Sequence, residues 1–264
     1  MTTTWRGQWA LITGASSGIG AEFARQLAAS GTNLVLTARR ADRLEALADR
    51  LHLDHGVQVE TFPADLEQST APAEIHRFVT AKNIEIGLLV NNAGYGSFGE
   101  FSTLDGDREA SMVNVNCTAV VRLTHLFLPG MIARKKGDIL IVASTASFQP
   151  IPYLATYAAT KVFDRFFAEA LAEELKPRGI RVCALCPGAT TSEFFAVSAM
   201  PDMGKPAPAE TVVARGLKAL SQGKSTKVSG FGNWLGTEIQ RLVPRRMVTS
   251  MAGKMFQSAI KRNG

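Results

Sequence analysis

The feature that most constrains this chain is a glycine-rich turn set between a strand-like run and an amphipathic stretch. Thr13-Gly14-Ala15-Ser16-Ser17-Gly18-Ile19-Gly20 follows the apolar run Trp9 to Ile12 and leads into Gly18–Ala29. The same alternation then repeats. Further strand candidates are Asn33–Ala38, Val57–Phe62, Gly87–Asn91, Asp138–Ala143, Ile180–Leu185 and Thr226–Phe231. Between them lie the helical patterns Arg40–Leu53, Ser69–Ala81, Asp105–Arg134 and Thr156–Lys176. Most strand candidates are apolar throughout, as parallel strands covered on both faces are. The pattern predicts a doubly wound α/β domain over residues 1–232, followed by a helical extension over 233–264.

A chain of 264 residues, 46% apolar, can bury one large core. Cys117, Cys183 and Cys186 sit in apolar runs and read as core thiols in a reducing compartment. The polar start, Met1 to Gly7, is too short for a signal peptide. No apolar stretch approaches the roughly 20 residues of a bilayer span. An intracellular, cytoplasmic protein is expected, and the four histidines form no metal cluster.

The net charge of +6 is concentrated near the end. Ten Lys and Arg stand against Glu238 alone between Arg215 and Gly264, whereas the rest has 19 basic and 22 acidic residues. This asymmetry suits an anionic substrate, a membrane surface or a polyanion, or simply a solvated basic face. Beyond Pro244, Met247, Val248, Met251, Ala252, Met255, Phe256 and Ala259 share one helical face bordered by Lys254, Lys261 and Arg262. Such a helix could pack on the body or a second subunit, touch a membrane, or cover substrate. The stretch Gly188 to Ala209 is rich in Pro, Gly and Ala and reads as a long loop, mobile over Phe194 to Met203.

The turn reads as a dinucleotide cradle. Gly14, Gly18 and Gly20 let the backbone approach a diphosphate at the positive end of a helix. Ser16 and Ser17 add hydroxyls, and Ile19 lies between the last two glycines. At the end of the second strand the sequence is Thr37-Ala38-Arg39-Arg40, with no acid before Asp42. Basic side chains there favour a 2′-phosphate, so NADP(H) is expected, with Arg39 as main contact and Arg40 as helper. Asp65, followed by Leu66, could accept from an adenine amine or cap a helix. Asn91-Asn92-Ala93-Gly94 ends the fourth strand, where ligands bind in such folds; its amides could equally tie strands together.

Tyr157 and Lys161 stand one helical turn apart, with Ser144 at a strand end upstream. The ammonium favours the phenolate and so works to lower the tyrosine pKa. Tyr157 can thus act as general acid in a reduction or as base in an oxidation. Ser144 can donate to a substrate oxygen. Asn116, a poor helix former placed mid-helix, invites a buried water that relays protons.

These segments together resemble the short-chain dehydrogenase/reductase family. The resemblance runs from Thr13 to Thr191 and includes Tyr157-Ala158-Ala159-Thr160-Lys161 and Pro187-Gly188-Ala189-Thr190-Thr191. It implies a Rossmann-like domain with a seven-stranded parallel sheet, a homodimer or homotetramer, and an Asn116–Ser144–Tyr157–Lys161 tetrad. It also implies that Pro187, Gly188, Thr190 and Thr191 meet the nicotinamide end, with Thr191 near the carboxamide. Ser17 departs from the basic residue that many NADP-binding members carry there. The apolar segments Tyr95 to Phe98, Phe148 to Tyr153 and Phe194 to Met203 would line a pocket for a hydrophobic carbonyl substrate. The expected activity is NADPH-dependent reduction of a ketone or aldehyde, on a substrate that could be acyl-linked. Oxidation of an alcohol or hydroxy acid is the reverse alternative. An NADP(H)-binding redox sensor, gripping a membrane or polyanion through its tail, is the non-enzymatic one. Nucleic acid is not expected as a partner.

Overall fold

The computed structural model describes residues 4–200 and 206–263, with side chains through Gln257. Seven parallel strands form one sheet: β1 Trp9–Thr13, β2 Asn33–Ala38, β3 Val59–Pro63, β4 Ile86–Asn91, β5 Gly137–Val142, β6 Ile180–Cys186 and β7 Thr226–Val228. Their order is β3-β2-β1-β4-β5-β6-β7. The chain therefore reverses direction across the sheet between β1 and β4, and this switch point opens the crevice in which ligands bind.

Consecutive side chains on each strand enter opposite cores. Ala10, Ile12, Leu34, Leu36, Leu88 and Val90 join one. Leu11, Val35, Leu89, Ile139 and Ile141 join the other. Helices α1 Gly18–Ala29, α2 Ala41–His55 and α8 Ala209–Ser221 flank the sheet with α3 Ala71–Ala81, α5 Ala119–Ala133 and α6 Ala155–Leu175. A buried polar staple ties the N-terminal segment to the sheet: Trp5 Nε1 donates to Asp138 Oδ2 at 2.7 Å, and Arg181 clamps the same carboxylate at 2.6 and 2.8 Å.

Several boundaries differ from the sequence reading. The seventh strand stops at Val228, because Gly230, with φ of +99°, turns the chain into α9 Phe231–Ile239. The extension thus starts as a helix at Phe231. The predicted helix 105–134 is α4 Gly106–Val113, a π-turn Asn114–Thr118, and α5. Contrary to the sequence expectation, this 28-residue run is long and apolar enough to cross a bilayer by length and composition; half of its most apolar window is buried inside the fold. The long loop contains a short helix, α7 Phe194–Val197, while Pro201–Met203 lie outside the described residues.

The last helix, α10 Arg245–Asn263, divides its apolar residues rather than presenting them on one face. Ala252 and Phe256 are buried, and the Phe256 ring lies 5.9 Å from that of Phe98. Met247 and Met251 face outward. The side chains of Ala259, Lys261 and Arg262 lie outside the described residues.

Candidate active site

A cleft of about 670 Å³ opens at the C-terminal ends of β1, β4, β5 and β6. The glycine turn forms its floor. Gly14 and Gly18 take positive φ, +66° and +52°. A Cβ on Gly20 would strike the Gly14 carbonyl and the Asn92 amide, and one on Gly14 would lie 2.9 Å from Ala93 Cα. The turn therefore admits no side chain at these positions, and backbone stays accessible. Ser17 precedes α1 without capping it through its side chain, so the first N–H groups of the helix face the cleft. Phosphate suits such a site. Ser16, Ile19, Asp65, Leu66, Ala93 and Gly94 also line the cleft, and the residues present fit a dinucleotide.

Asn92 is mostly structural. Its Nδ2 donates to the Thr13 carbonyl at 2.8 Å, while the Asn92 and Ala93 backbone N–H groups donate to Thr13 Oγ1 at 3.0 and 2.9 Å. Asp65 accepts from the Glu67 N–H at 3.1 Å, which fixes the loop after β3.

The two arginines differ in their surroundings. Arg40 lies against the turn: Nε and Nη2 donate to Ser16 Oγ at 3.2 and 3.1 Å, and Nη2 to Ser17 Oγ at 2.9 Å. Arg39 points to Glu67 at 3.4 Å, with 62% of its side chain exposed. Glu193, from the loop after β6, bridges Arg40 at 2.8 Å and Arg43 at 2.6 Å. Hydrogen bonds from Arg43 and Arg40 hold its carboxyl down at about 2. No local pattern marks Glu193, because the pairing spans 153 residues.

At the other end, α6 presents Tyr157 and Lys161, both buried. Lys161 Nζ donates to the Val142 carbonyl and to Asp164 Oδ2, each at 2.9 Å. Asp164 was not anticipated. It lies one turn beyond the lysine in an apolar run, the sole sequence signal it gives. Burial pushes its carboxyl up to about 6, against the pull of Lys161. Burial also raises Tyr157 above the ordinary phenol value, outweighing the lowering by Lys161 and by a hydrogen bond with Ser144; Asp164 adds to the rise. The lowering by Lys161 expected from the spacing is present, and burial outweighs it. Burial lowers Lys161, but Asp164 and Tyr157 together carry it above its ordinary value, and it stays an ammonium. Tyr157 is a neutral phenol at neutral pH.

Ser144 Oγ accepts from the Ala146 N–H at 3.1 Å and, besides its contact with Tyr157, lies a long 3.5 Å from the Pro187 carbonyl, so its hydroxyl can be re-aimed. Asn116 sits behind the cleft rather than in its wall. Fully buried on the π-turn, it accepts from the Tyr95 N–H at 3.1 Å and donates to the Tyr95 carbonyl and Thr160 Oγ1, each at 3.0 Å. Its amide holds the Gly94–Tyr95 turn beside Lys161.

Pro187, Gly188 and Thr190 line the cleft, with Thr190 bonded to the Gly188 carbonyl at 2.9 Å. Thr191 does not: its N–H pairs with the Ala207 carbonyl and its side chain is exposed. The apolar end is walled by Ile151, Leu154, Phe194, Met200, Met255 and Phe256, with the Phe194 ring 5.2 Å from Tyr157. Of the predicted pocket segments, Phe148 turns away and stacks under Arg165 at 4.0 Å. The wall from α9, Gly232, Asn233, Gly236, Thr237 and nearby Gln240, was not anticipated.

Comparisons agree with this arrangement. The family model for short chain dehydrogenase matches residues 8–200. A very-long-chain 3-oxoacyl-CoA reductase from Mus musculus is 33% identical over 247 residues, 91% of this chain and 77% of that protein. One from Danio rerio is 36% identical over 217 residues, 79% of this chain and 66% of that protein. Among solved structures, a short-chain dehydrogenase from Sphingobium yanoikuyae in complex with NADPH superposes with a TM-score of 0.82 at 32% identity, covering 89% of this chain and 94% of the other. The bulky-bulky ketone specific alcohol dehydrogenase from Comamonas testosteroni gives 0.77 at 32% identity, covering 89% and 92%. With its seven-stranded parallel sheet, glycine cradle and paired Tyr157 and Lys161, the chain belongs to the short chain dehydrogenase family of oxidoreductases.

Proposed function

We propose that the protein reduces a ketone or aldehyde on a hydrophobic, acyl-linked substrate, using NADPH, with Tyr157 as proton donor. The observation that carries the reading is a buried, neutral phenol at the boundary between a dinucleotide cradle and an apolar chamber. Bound NADPH supplies the hydride. The side chains do the rest. Ser144 turns its hydroxyl onto the substrate oxygen and fixes its orientation. Tyr157 gives that oxygen its proton, and the phenolate left behind is stabilised by the adjacent Lys161 ammonium. Phe194, Met200 and Phe256 exclude water from the reacting carbon and receive an apolar chain. The similarity to 3-oxoacyl-CoA reductases supports an acyl substrate, and the NADPH complex of a relative supports the cofactor.

A homo-oligomer is part of this reading. Phe163 and Phe166 on α6 and Val113 on α4 are exposed, and burying them against a second copy would remove apolar surface from water.

The test is NADPH oxidation with a series of 3-oxoacyl thioesters and plain ketones. Turnover that rises with chain length, and falls by at least about a thousandfold in Tyr157→Phe with NADPH binding retained, supports the reading. Faster turnover with NADP⁺ and alcohols at neutral pH would place the enzyme in the oxidative direction. Tight NADPH binding with no turnover of any carbonyl would make it a sensor.

A further inference from the structure

The helix α9 is inverted relative to an ordinary surface helix. Its glycine and polar side, Gly232, Asn233, Gly236 and Thr237, lines the cleft. Thr237 is buried, and Asn233 Nδ2 donates to the Ser229 carbonyl at 2.7 Å. The opposite side carries Phe231, Trp234, Leu235 and Ile239, continued by Leu242 in the following turn. Positions i, i+3, i+4, i+8 and i+11 make one continuous stripe on a helix. All five side chains are exposed, from 41% for Leu235 to 88% for Leu242. The rings of Phe231 and Trp234 touch, with centroids 5.7 Å apart, so the stripe begins in an aromatic pair. Met247 and Met251 of α10 add two exposed thioethers.

The charges on and around this patch are nearly all positive. Arg241, Arg245, Arg246 and Lys254 are exposed, and the single acid from Phe231 to Gln257, Glu238, is engaged by Arg241 at 3.1 Å. We infer that this apolar stripe with its cationic border docks the enzyme on an anionic lipid surface. The stripe would sink to the level of the acyl chains while the arginines meet the headgroups. Charge complementarity favours lipid over a second copy of the chain. A two-fold interface on this patch would set Arg241, Arg245 and Arg246 against the same residues of the other copy. Because the other side of α9 walls the cleft, docking would bring the apolar chamber close to the bilayer, where long-chain substrates are dissolved.

The experiment is vesicle flotation of the full chain with phosphatidylcholine alone and with phosphatidylcholine mixed with phosphatidylglycerol, followed by Trp234 fluorescence. The expected result is binding to the anionic vesicles only, a blue-shifted emission, and release by salt. The double variant Arg245→Glu/Arg246→Glu should weaken partitioning by about tenfold or more. The variant Phe231→Ser/Leu242→Ser should abolish it, while both variants keep wild-type melting and wild-type turnover of a short, soluble ketone. Three results would overturn the inference: no partitioning onto anionic vesicles, partitioning that both variants retain, or a concentration-dependent dimer that Phe231→Ser/Leu242→Ser dissolves. None of these outcomes bears on carbonyl reduction, which the soluble assay reads separately.

Discussion

Replacing Arg40 by alanine should remove most of the preference for NADPH over NADH. Arg40 makes three hydrogen bonds to the Ser16 and Ser17 hydroxyls, so its guanidinium is already fixed on the turn that receives the nucleotide. A charge-assisted hydrogen bond contributes roughly 1.5–3 kcal/mol when well shielded. Arg40 has 39% of its side chain exposed, so the contribution is discounted to about 1–2 kcal/mol for solvent screening. That corresponds to a loss of NADPH affinity of about 5- to 30-fold with NADH nearly unchanged. Arg39→Ala should cost only about twofold, because the side chain is 62% exposed and turned to Glu67. Glu193 enters the same balance with opposite sign. Its carboxylate occupies Arg40 and Arg43, and a 2′-phosphate must compete with it. Glu193→Gln should therefore tighten NADPH binding several-fold and leave NADH alone. Since the Glu193 carboxyl is held down at about 2, this competition should not vary between neutral pH and mildly acidic pH. Titration of nucleotide fluorescence with both cofactors measures all three effects. The reasoning fails if Arg39→Ala carries the selectivity, or if Arg40→Ala weakens both cofactors equally.

Three further outcomes follow from buried charges. Asp164→Asn removes a negative charge that raises Tyr157, so the alkaline limb of the reduction profile should move to lower pH; an unmoved limb would show that Asp164 does not act on the phenol. The native Asp164 carboxyl lies at about 6, above its ordinary 3.8, so the folded state keeps a proton that the unfolded chain has shed. Wild-type stability from this group therefore falls as pH rises from 3.8 to 6, and Asp164→Asn should flatten that slope in urea titrations. Trp5→Phe deletes a 2.7 Å bond to a buried carboxylate and should cost about 2 kcal/mol, or roughly 4–8 °C in Tm, with cofactor affinity unchanged; a wild-type melting curve would refute it.

How much of this was readable in advance depended on the range of the interactions. Most strands could be placed because they are apolar on both faces, a signal contained in five to seven residues; β3 and β7 are more polar, and β7 ends early because Gly230 stops it by a backbone turn rather than a change of polarity. The glycine cradle and the Tyr157–Lys161 pair are equally local, the latter set by helical spacing alone. The partners of Arg39 and Arg40 were not legible from position at a strand end, because the side chains are sorted by contacts at Ser16, Ser17 and distant Glu193. Thr190 and Thr191 differ by one residue in an irregular loop, where no periodicity says which points inward. The inversion of α9 was invisible for another reason. Amphipathic patterning identifies two faces, and only the fold shows that the polar one meets the cleft.

The π-turn at Asn114–Thr118 carries an evolutionary consequence. A widened turn holds one residue more than the α-helix around it would need and is locally costly. Deleting a single residue there should let α4 and α5 join as a regular helix and raise the melting temperature of the shortened chain. It would also rotate Asn116 off the Tyr95 backbone and Thr160, freeing the turn beside Gly94 that borders Lys161. Selection for thermal robustness and selection for turnover would therefore pull this chain toward two different lengths.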